Sequence, residues 1–199
     1  MRILFFVGIA SILAYYGWHA AFTMTHPPGI LIPDAPLQTP TNLTAWTKGD
    51  YRLTPLARFS LDARVLSSSR YHDAGAAIAP LDLALGWGPM SDQAVLDGLD
   101  ISQVMRFWQW HTRTNTWPAP RAAIEANASN MHIIPKDAPT EAILSRFRTG
   151  ALVHLEGYLV RVDGPAGFHW SSSLSRSDTG NGACELFWVE YATPLPRLR

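Results

Sequence analysis

The chain of 199 residues has little cysteine, little lysine and no excess charge of either sign: one Cys, two Lys, and 16 basic side chains against 16 acidic ones. One cysteine excludes an intramolecular disulfide framework and any cysteine-rich zinc site. Zero net charge and a charged fraction of 16% exclude the basic footprint of a nucleic-acid binder, and they exclude disorder, which needs low hydrophobicity with high net charge. His72, His111, His132, His154 and His169 show neither HxH nor HExxH spacing. Only His154 and Glu156 fall two apart on a strand face, so no metal site and no cofactor is expected. No repeat of about 20–50 residues is visible, which removes solenoids and propellers. At about 100–200 residues per domain, the chain holds one domain and can bury a core without staples.

What is abundant is unevenly placed. Hydrophobic residues make up 47% of the chain. Many sit in residues 3–22, ILFFVGIASILAYYGWHAAF, which carry no acidic or basic side chain except His19. Helical residues rise about 1.5 Å each, so this run spans the roughly 30 Å of a bilayer's hydrocarbon core. A cleaved signal peptide needs small residues at the third and first positions before the cut. Cutting after Ala20 or Ala21 puts Trp18 or His19 at the third position, so an uncleaved anchor over residues 1–23 is expected. Tyr15, Tyr16 and Trp18 suit the far headgroup interface. Arg2 and the amino terminus are the positive charges before the span, and Lys48 is the first after it, which leaves the N-terminus in the cytoplasm. Arginine outnumbers lysine 14 to 2, a bias of GC-rich bacterial genomes, and a lone cysteine suits an oxidising compartment. The expected location is the bacterial inner membrane, single-pass, with the C-terminal domain in the periplasm.

Residues 24–45 contain prolines at 27, 28, 33, 36 and 40 and are expected to form a Pro-rich periplasmic tether rather than an irregular edge of the domain. Residues 46–199 form the folded part. In ARFSLDARVL, residues 57–66, Phe59, Leu61, Ala63 and Val65 alternate with polar residues, the period of a half-buried strand. VMRFWQW, residues 104–110, also reads as a strand, with Trp108 and Trp110 on one face. ALVHLEGYLVRV (151–162), FHWSSSL (168–174) and CELFWVE (184–190) are expected as an antiparallel meander, the first two joined by the GPAG turn. Two short helices are expected: residues 91–99 with Ser91 as N-cap, and residues 139–148 with Asp137 or Ala138 ahead of Pro139, Gly150 as the stop, and Ile143, Leu144 and Phe147 as the apolar stripe. The fold class is therefore mainly β (α+β): a small antiparallel sheet or barrel with one or two short helices, behind a transmembrane helix.

ARFSLDARVL, LDLALGWGPMSD, NMHIIP, LEGYLV and SSSLSRSDTGNGACELFWVE resemble a group of uncharacterised membrane-anchored proteins of proteobacteria, over most of residues 46–191. The resemblance implies location and single-domain organisation, and it brings no activity with it.

The most specific polar cluster is SSSLSRSDTGNGACE, residues 171–185. If Arg176–Ala183 closes a hairpin, Ser175 lies opposite Cys184, and the cluster makes a pocket rim whose turn amides and Arg176 are offered to an anionic or carbonyl group, with Asp178 a further candidate binding residue. A hydroxyl-rich strand with a tight Asp-Thr-Gly turn is the plainer alternative. Asp178-Thr179-Gly180 also matches the triplet of aspartic proteases, whose chemistry needs two carboxylates sharing a proton. Here the triplet occurs once and LSRS, not an apolar strand, precedes it. Cys184 is the candidate nucleophile, with His132 as base and Arg176 or Arg197 to hold an oxyanion. The order His, Cys, Arg is similar to that of sortase transpeptidases. GNGAC, however, stands where they have a Thr-Leu-x-Thr-Cys strand, and a lone Cys sharing a face with Leu186 and Trp188 is as readily a small buried hydrophobe.

GWGPM, residues 86–90, offers Trp87 for stacking or burial at a turn. The leading expectation is a non-enzymatic accessory module, tethered to the inner membrane through residues 3–22, that binds an envelope protein, peptide or glycan through Trp46, Trp87, Trp108, Trp110 and Trp117. The alternative is a thiol-dependent acyl-transfer or hydrolytic enzyme using Cys184 with His132.

Overall fold

A computed structural model describes residues 23–175 and 184–196. The expected anchor at 3–22, the loop over 176–183 with Arg176 and Asp178, and Arg197 lie outside the described residues. Among the described residues no helix is long and apolar enough to cross a membrane.

In chain order the elements are β1 (Leu37–Thr39), β2 (Trp46–Lys48), β3 (Tyr51–Arg70), β4 (Leu81–Gly86), α1 (Gln93–Leu96), β5 (Leu99–Val104), β6 (Phe107–Thr112), α2 (Arg121–Ala126), β7 (Ala128–Pro135), α3 (Ala138–Leu144), β8 (Leu152–Asp163), β9 (His169–Ser171) and β10 (Glu185–Pro194). The protein is mainly β. Among the described residues its principal sheet has eight strands, in the order β1-β3-β4-β7-β10-β8-β9, with β2 added to β3, and β3 pairs with β8 as well as with β4. The pairings β3–β4, β4–β7, β7–β10, β10–β8 and β8–β3 therefore return to their starting strand. The sheet is mixed rather than antiparallel, because β7 and β10 run parallel, with Leu186 beside His132.

The alternation in residues 57–66 is that of a strand with one face inward. Phe59, Leu61, Ala63 and Val65 join Leu81, Leu83, Leu85, Met131, Ile133, Val153, Leu155, Phe187 and Val189 in one buried cluster. Burial of such side chains contributes about 1.5–3 kcal/mol each and drives the ring together. The opposite face of the same strands carries a second cluster built on Ile134, Val160, Val162, Leu186 and Trp188. The helix over Ala138–Leu144 is capped by Asp137, whose Oδ1 accepts from Thr140 N at 2.9 Å, and it buries Leu144. It ends at Leu144 rather than at the expected residue 148, and Ile143 is exposed.

Several expectations are corrected. The three C-terminal runs are not a meander: β9 and β10 both lie along β8, pairing with Arg161–Asp163 and Val153–Leu159 respectively. On either side of residues 176–183, Ser173 N donates to Cys184 O at 3.2 Å. Ser91 is not the N-cap of α1; Asp92 is, accepting from Ala94 N at 2.8 Å. Ser91 Oγ instead accepts from Leu31 N and Ile32 N, both at 3.0 Å.

Those bonds bear on the Pro-rich segment, which does not stand off the domain. Ile32 is buried in the central cluster, and Gly88 N donates to Ile32 O at 2.7 Å. His26 Nε2 donates to Gly150 O at 2.7 Å, and β1 pairs with β3. Proline removes some donors, but the remaining ones find side-chain oxygens, a satisfaction that composition alone does not show.

VMRFWQW is not one strand. It contains the turn of the β5–β6 hairpin, where Met105 and Arg106 both adopt positive φ, 48° and 67°. This is the two-residue turn that matches strand twist, built without its usual Gly or Asn. Met105 is 80% exposed, so nothing in the core holds its backbone there. Met105→Asn is expected to stabilise the protein by about 0.5–1 kcal/mol, read as a raised urea midpoint, since Asn tolerates the left-handed region better.

Candidate functional site: a tryptophan-lined cleft

The β5–β6 hairpin is a separate two-stranded sheet that packs its inner face on the outside of β3 and β4. Leu99, Ile101, Trp108 and Trp110 meet Leu66, Ala84, Met90 and Ile124 there. Between this hairpin, α2 and the start of β7 lies a cleft of about 720 Å³. Its walls carry Trp87, Trp108, Trp110 and Trp117, and its rim carries Ser175, Cys184 and Glu185. The volume falls within the roughly 300–1,000 Å³ usual for ligand sites.

The tryptophans differ in their freedom. Trp87 lines the cleft at 2% exposure, whereas Trp117 is 46% exposed. Trp110 meets Trp117 edge-to-face, centroids 5.5 Å apart, and the Arg121 guanidinium lies 6.0 Å from the Trp117 ring while pairing with Glu125 at 2.7 Å. Glu185, 3% exposed, accepts a hydrogen bond from Ser129 Oγ. Trp46 is elsewhere: it packs on Tyr158 and Trp188 at 5.9 and 5.4 Å.

His132 belongs to a different cluster, on the outer face of β4 and β7. It stands opposite Asp82 in the strand register, its Nδ1 is 2.9 Å from Asp82 Oδ1 without the alignment of a hydrogen bond, and its ring lies 4.6 Å from that of Trp170. Of the Cys184 and His132 pair expected from sequence, the half-buried Cys184 lines the cleft and the imidazole of His132 lies beside Asp82 and Trp170.

The residue that sequence reasoning missed is Arg106. From the hairpin turn its Nε and Nη2 donate to Asp73 at 2.7 Å each, Nη1 to Asp82 at 3.2 Å, and Nη2 also to Ala79 O at 3.0 Å. Its backbone N donates to Tyr71 Oη at 3.1 Å, and its carbonyl accepts from Asn130 Nδ2 at 3.1 Å. The guanidinium stacks 4.3 Å from the Tyr71 ring. Burial works against the Arg106 charge, but the carboxylates of Asp73 and Asp82 outweigh it and hold its pKa above the ordinary value. Hydrogen bonding from Arg106 holds Asp73 below the usual carboxylate range. Nearby, Ser67 Oγ donates to Gln103 Oε1 and Gln103 Nε2 donates to Asn130 Oδ1, both at 2.6 Å. Arg106 and Gln103 together clamp the hairpin, and hence one wall of the cleft, to the strand ring.

A second charged group lies on the β3–β8 surface, where His154 contacts Asp62 at 2.6 Å and Glu156 at 3.0 Å. Burial disfavours its charge, yet the hydrogen bonds to Glu156 and Asp62 prevail and raise its pKa above 6.5. A raised folded-state pKa contributes stability that is complete below the unfolded value and lost as pH rises through the folded one. His154→Gln is therefore expected to cost about 0.2–1 kcal/mol near pH 5.5, a small figure because solvent screens the group, and almost nothing near pH 9. Urea denaturation at the two pH values checks the sign.

Among the described residues no group of three or more His, Cys, Asp or Glu is placed to hold a metal ion. No family model, curated protein or solved structure matches the chain.

Proposed function

We propose that the protein is a membrane-tethered periplasmic binding module, non-enzymatic, that holds a protein or peptide partner of the cell envelope in the tryptophan cleft. The location rests on the apolar run at 3–22 with Arg2 ahead of it and on the resemblance to membrane-anchored proteobacterial proteins. The five-strand ring reads as a small closed barrel in the strand order of the oligonucleotide/oligosaccharide-binding fold, with α3 between its third and fourth strands. A zero net charge weighs against an oligonucleotide, and fold alone does not choose among the other ligands. The observation that carries the reading is the convergence of Trp87, Trp108, Trp110 and Trp117 on one cleft. Aromatic side chains are the usual anchors of protein recognition.

Titrating full-length protein in detergent against arrayed ten-residue envelope peptides, with tryptophan fluorescence as readout, tests it. Binding that falls at least tenfold in Trp110→Ala supports the reading. Binding indifferent to Trp110→Ala, or none up to millimolar peptide, overturns it.

The thiol-enzyme reading has one observation in its favour, that Cys184 lines the same cleft. A Cys184 that reacts with maleimide at neutral pH no faster than free cysteine, with Cys184→Ala still fully functional in cells, removes it.

A further inference from the structure

Six consecutive residues of β6, Phe107–Thr112, line the cleft. One face of a strand presents only every second residue, so an unbroken run means that the cleft follows the strand's edge. In the hairpin, Val104 faces Phe107 across the two-residue turn, and the register continues to Asp100 facing His111. Residues 107, 109 and 111 therefore direct their backbone groups to β5, and Trp108, Trp110 and Thr112 direct theirs the other way. The small sheet holds β5 and β6 alone, and among the described residues no strand pairs with this second edge of β6. The start of β7 faces the same space with a similar gap, since Ala128–Asn130 pair with β4 while β10 joins only from Met131 onward. Edge strands are normally blunted by Lys, Pro or a bulge, and Phe107–Thr112 has none of these.

We infer that the open edge of β6 takes an extended peptide segment of the partner as an added strand, an inference that rests on the reading of the cleft as a protein-binding site. Main-chain bonds to Trp108, Trp110 and Thr112 supply the affinity. Alternate side chains of the incoming strand turn toward the indoles of Trp108 and Trp110, which selects apolar residues at every second position, and the intervening residues face outward beside Phe107, Gln109 and His111.

The test uses full-length protein in detergent micelles and the synthetic peptide Ac-Lys-Val-Thr-Val-Thr-Val-Lys-NH2. Two further versions are N-methylated, one at the valines and one at the threonines. Tryptophan fluorescence gives affinity, and amide hydrogen exchange reports on residues 108, 110 and 112. The expected result is micromolar-to-millimolar binding, at least tenfold slower exchange at those three amides, and at least tenfold loss with one N-methylated set but less than twofold with the other. If both N-methylated peptides bind as well as the parent and Trp110→Ala still abolishes binding, the cleft reading stands and strand addition falls. If no peptide binds up to millimolar concentration, or chitohexaose quenches where peptides do not, both fall. If the three amides are protected by concentration-dependent dimerisation without peptide, the edge is taken by a second copy of the chain and the inference is overturned.

Discussion

Arg106→Ala is expected to destabilise the protein by about 3–5 kcal/mol, the cost of leaving a buried charge without its partner. Asp82 is 0% exposed, and its Oδ2 already lacks a hydrogen-bond partner. Removing the guanidinium strips Oδ1 of its 3.2 Å donor and leaves His132 as the one titratable neighbour described in contact with it. The same change releases the hairpin from Asp73 and Ala79, so it loosens a cleft wall as well as the fold. Arg106→Lys is expected to rescue little, because one ammonium cannot serve carboxylates reached by Nε, Nη1 and Nη2 at once. Combining Arg106→Ala with Asp82→Asn should recover part of the loss, since the orphaned charge is gone. Urea midpoints of the single and double variants give the coupling, and additive effects would show that the two residues do not act as a pair.

Gly157→Ala is expected to cost more than about 3 kcal/mol, at or beyond the usual upper limit for overpacking. Gly157 is in the middle of β8, facing Phe59 on one side and Val189 on the other, next to the irregularity at Val189/Tyr191. A Cβ there would fall inside the carbonyl oxygen of Trp188, which is backbone held by its own ladder and cannot rotate aside. Because β8 links β3 to β10, the displacement opens the ring rather than a surface loop. Gly167→Ala is the control: its φ of 78° is unfavourable to alanine but no atom lies within 4 Å, so about 1 kcal/mol is expected from backbone conformation alone. Equal losses in the two variants would contradict the close crossing of β8 and β10.

Local features were legible in the sequence. The alternation in residues 57–66 predicts an inward face that buries Phe59, Leu61, Ala63 and Val65. Asp137 or Ala138 before Pro139 marks a helix start, and the cap is made by Asp137. The i, i+2 relation of Trp108 and Trp110 predicts one shared face, and both pack on the third cluster. The hairpin turn was not legible, because Met105 and Arg106 carry none of the Gly or Asn chemistry that announces positive φ. Arg106 is held there by bonds to Tyr71, Asp73, Asp82 and Asn130, all far from it along the chain. The Pro-rich segment misled for a similar reason: its composition describes an extended chain correctly, but not the Ser91 and Gly88 groups that receive it.

By itself, then, the sequence determined the inward face of the alternating run at 57–66, the shared face of Trp108 and Trp110, that the chain lacks the charge for nucleic acid, and that its apolar excess is concentrated at the amino end. Those properties depend on residue type and on periods of two or a few residues, which every segment carries with it. The tertiary structure alone decided that β7 and β10 run side by side in parallel, that β8 joins β3 to complete the ring, that Arg106 pairs with Asp82, and that Trp87, Trp110, Trp117 and Cys184 face one cleft. These are contacts between segments far apart in the chain, chosen by which apolar faces can be buried together and which buried polar groups then find partners.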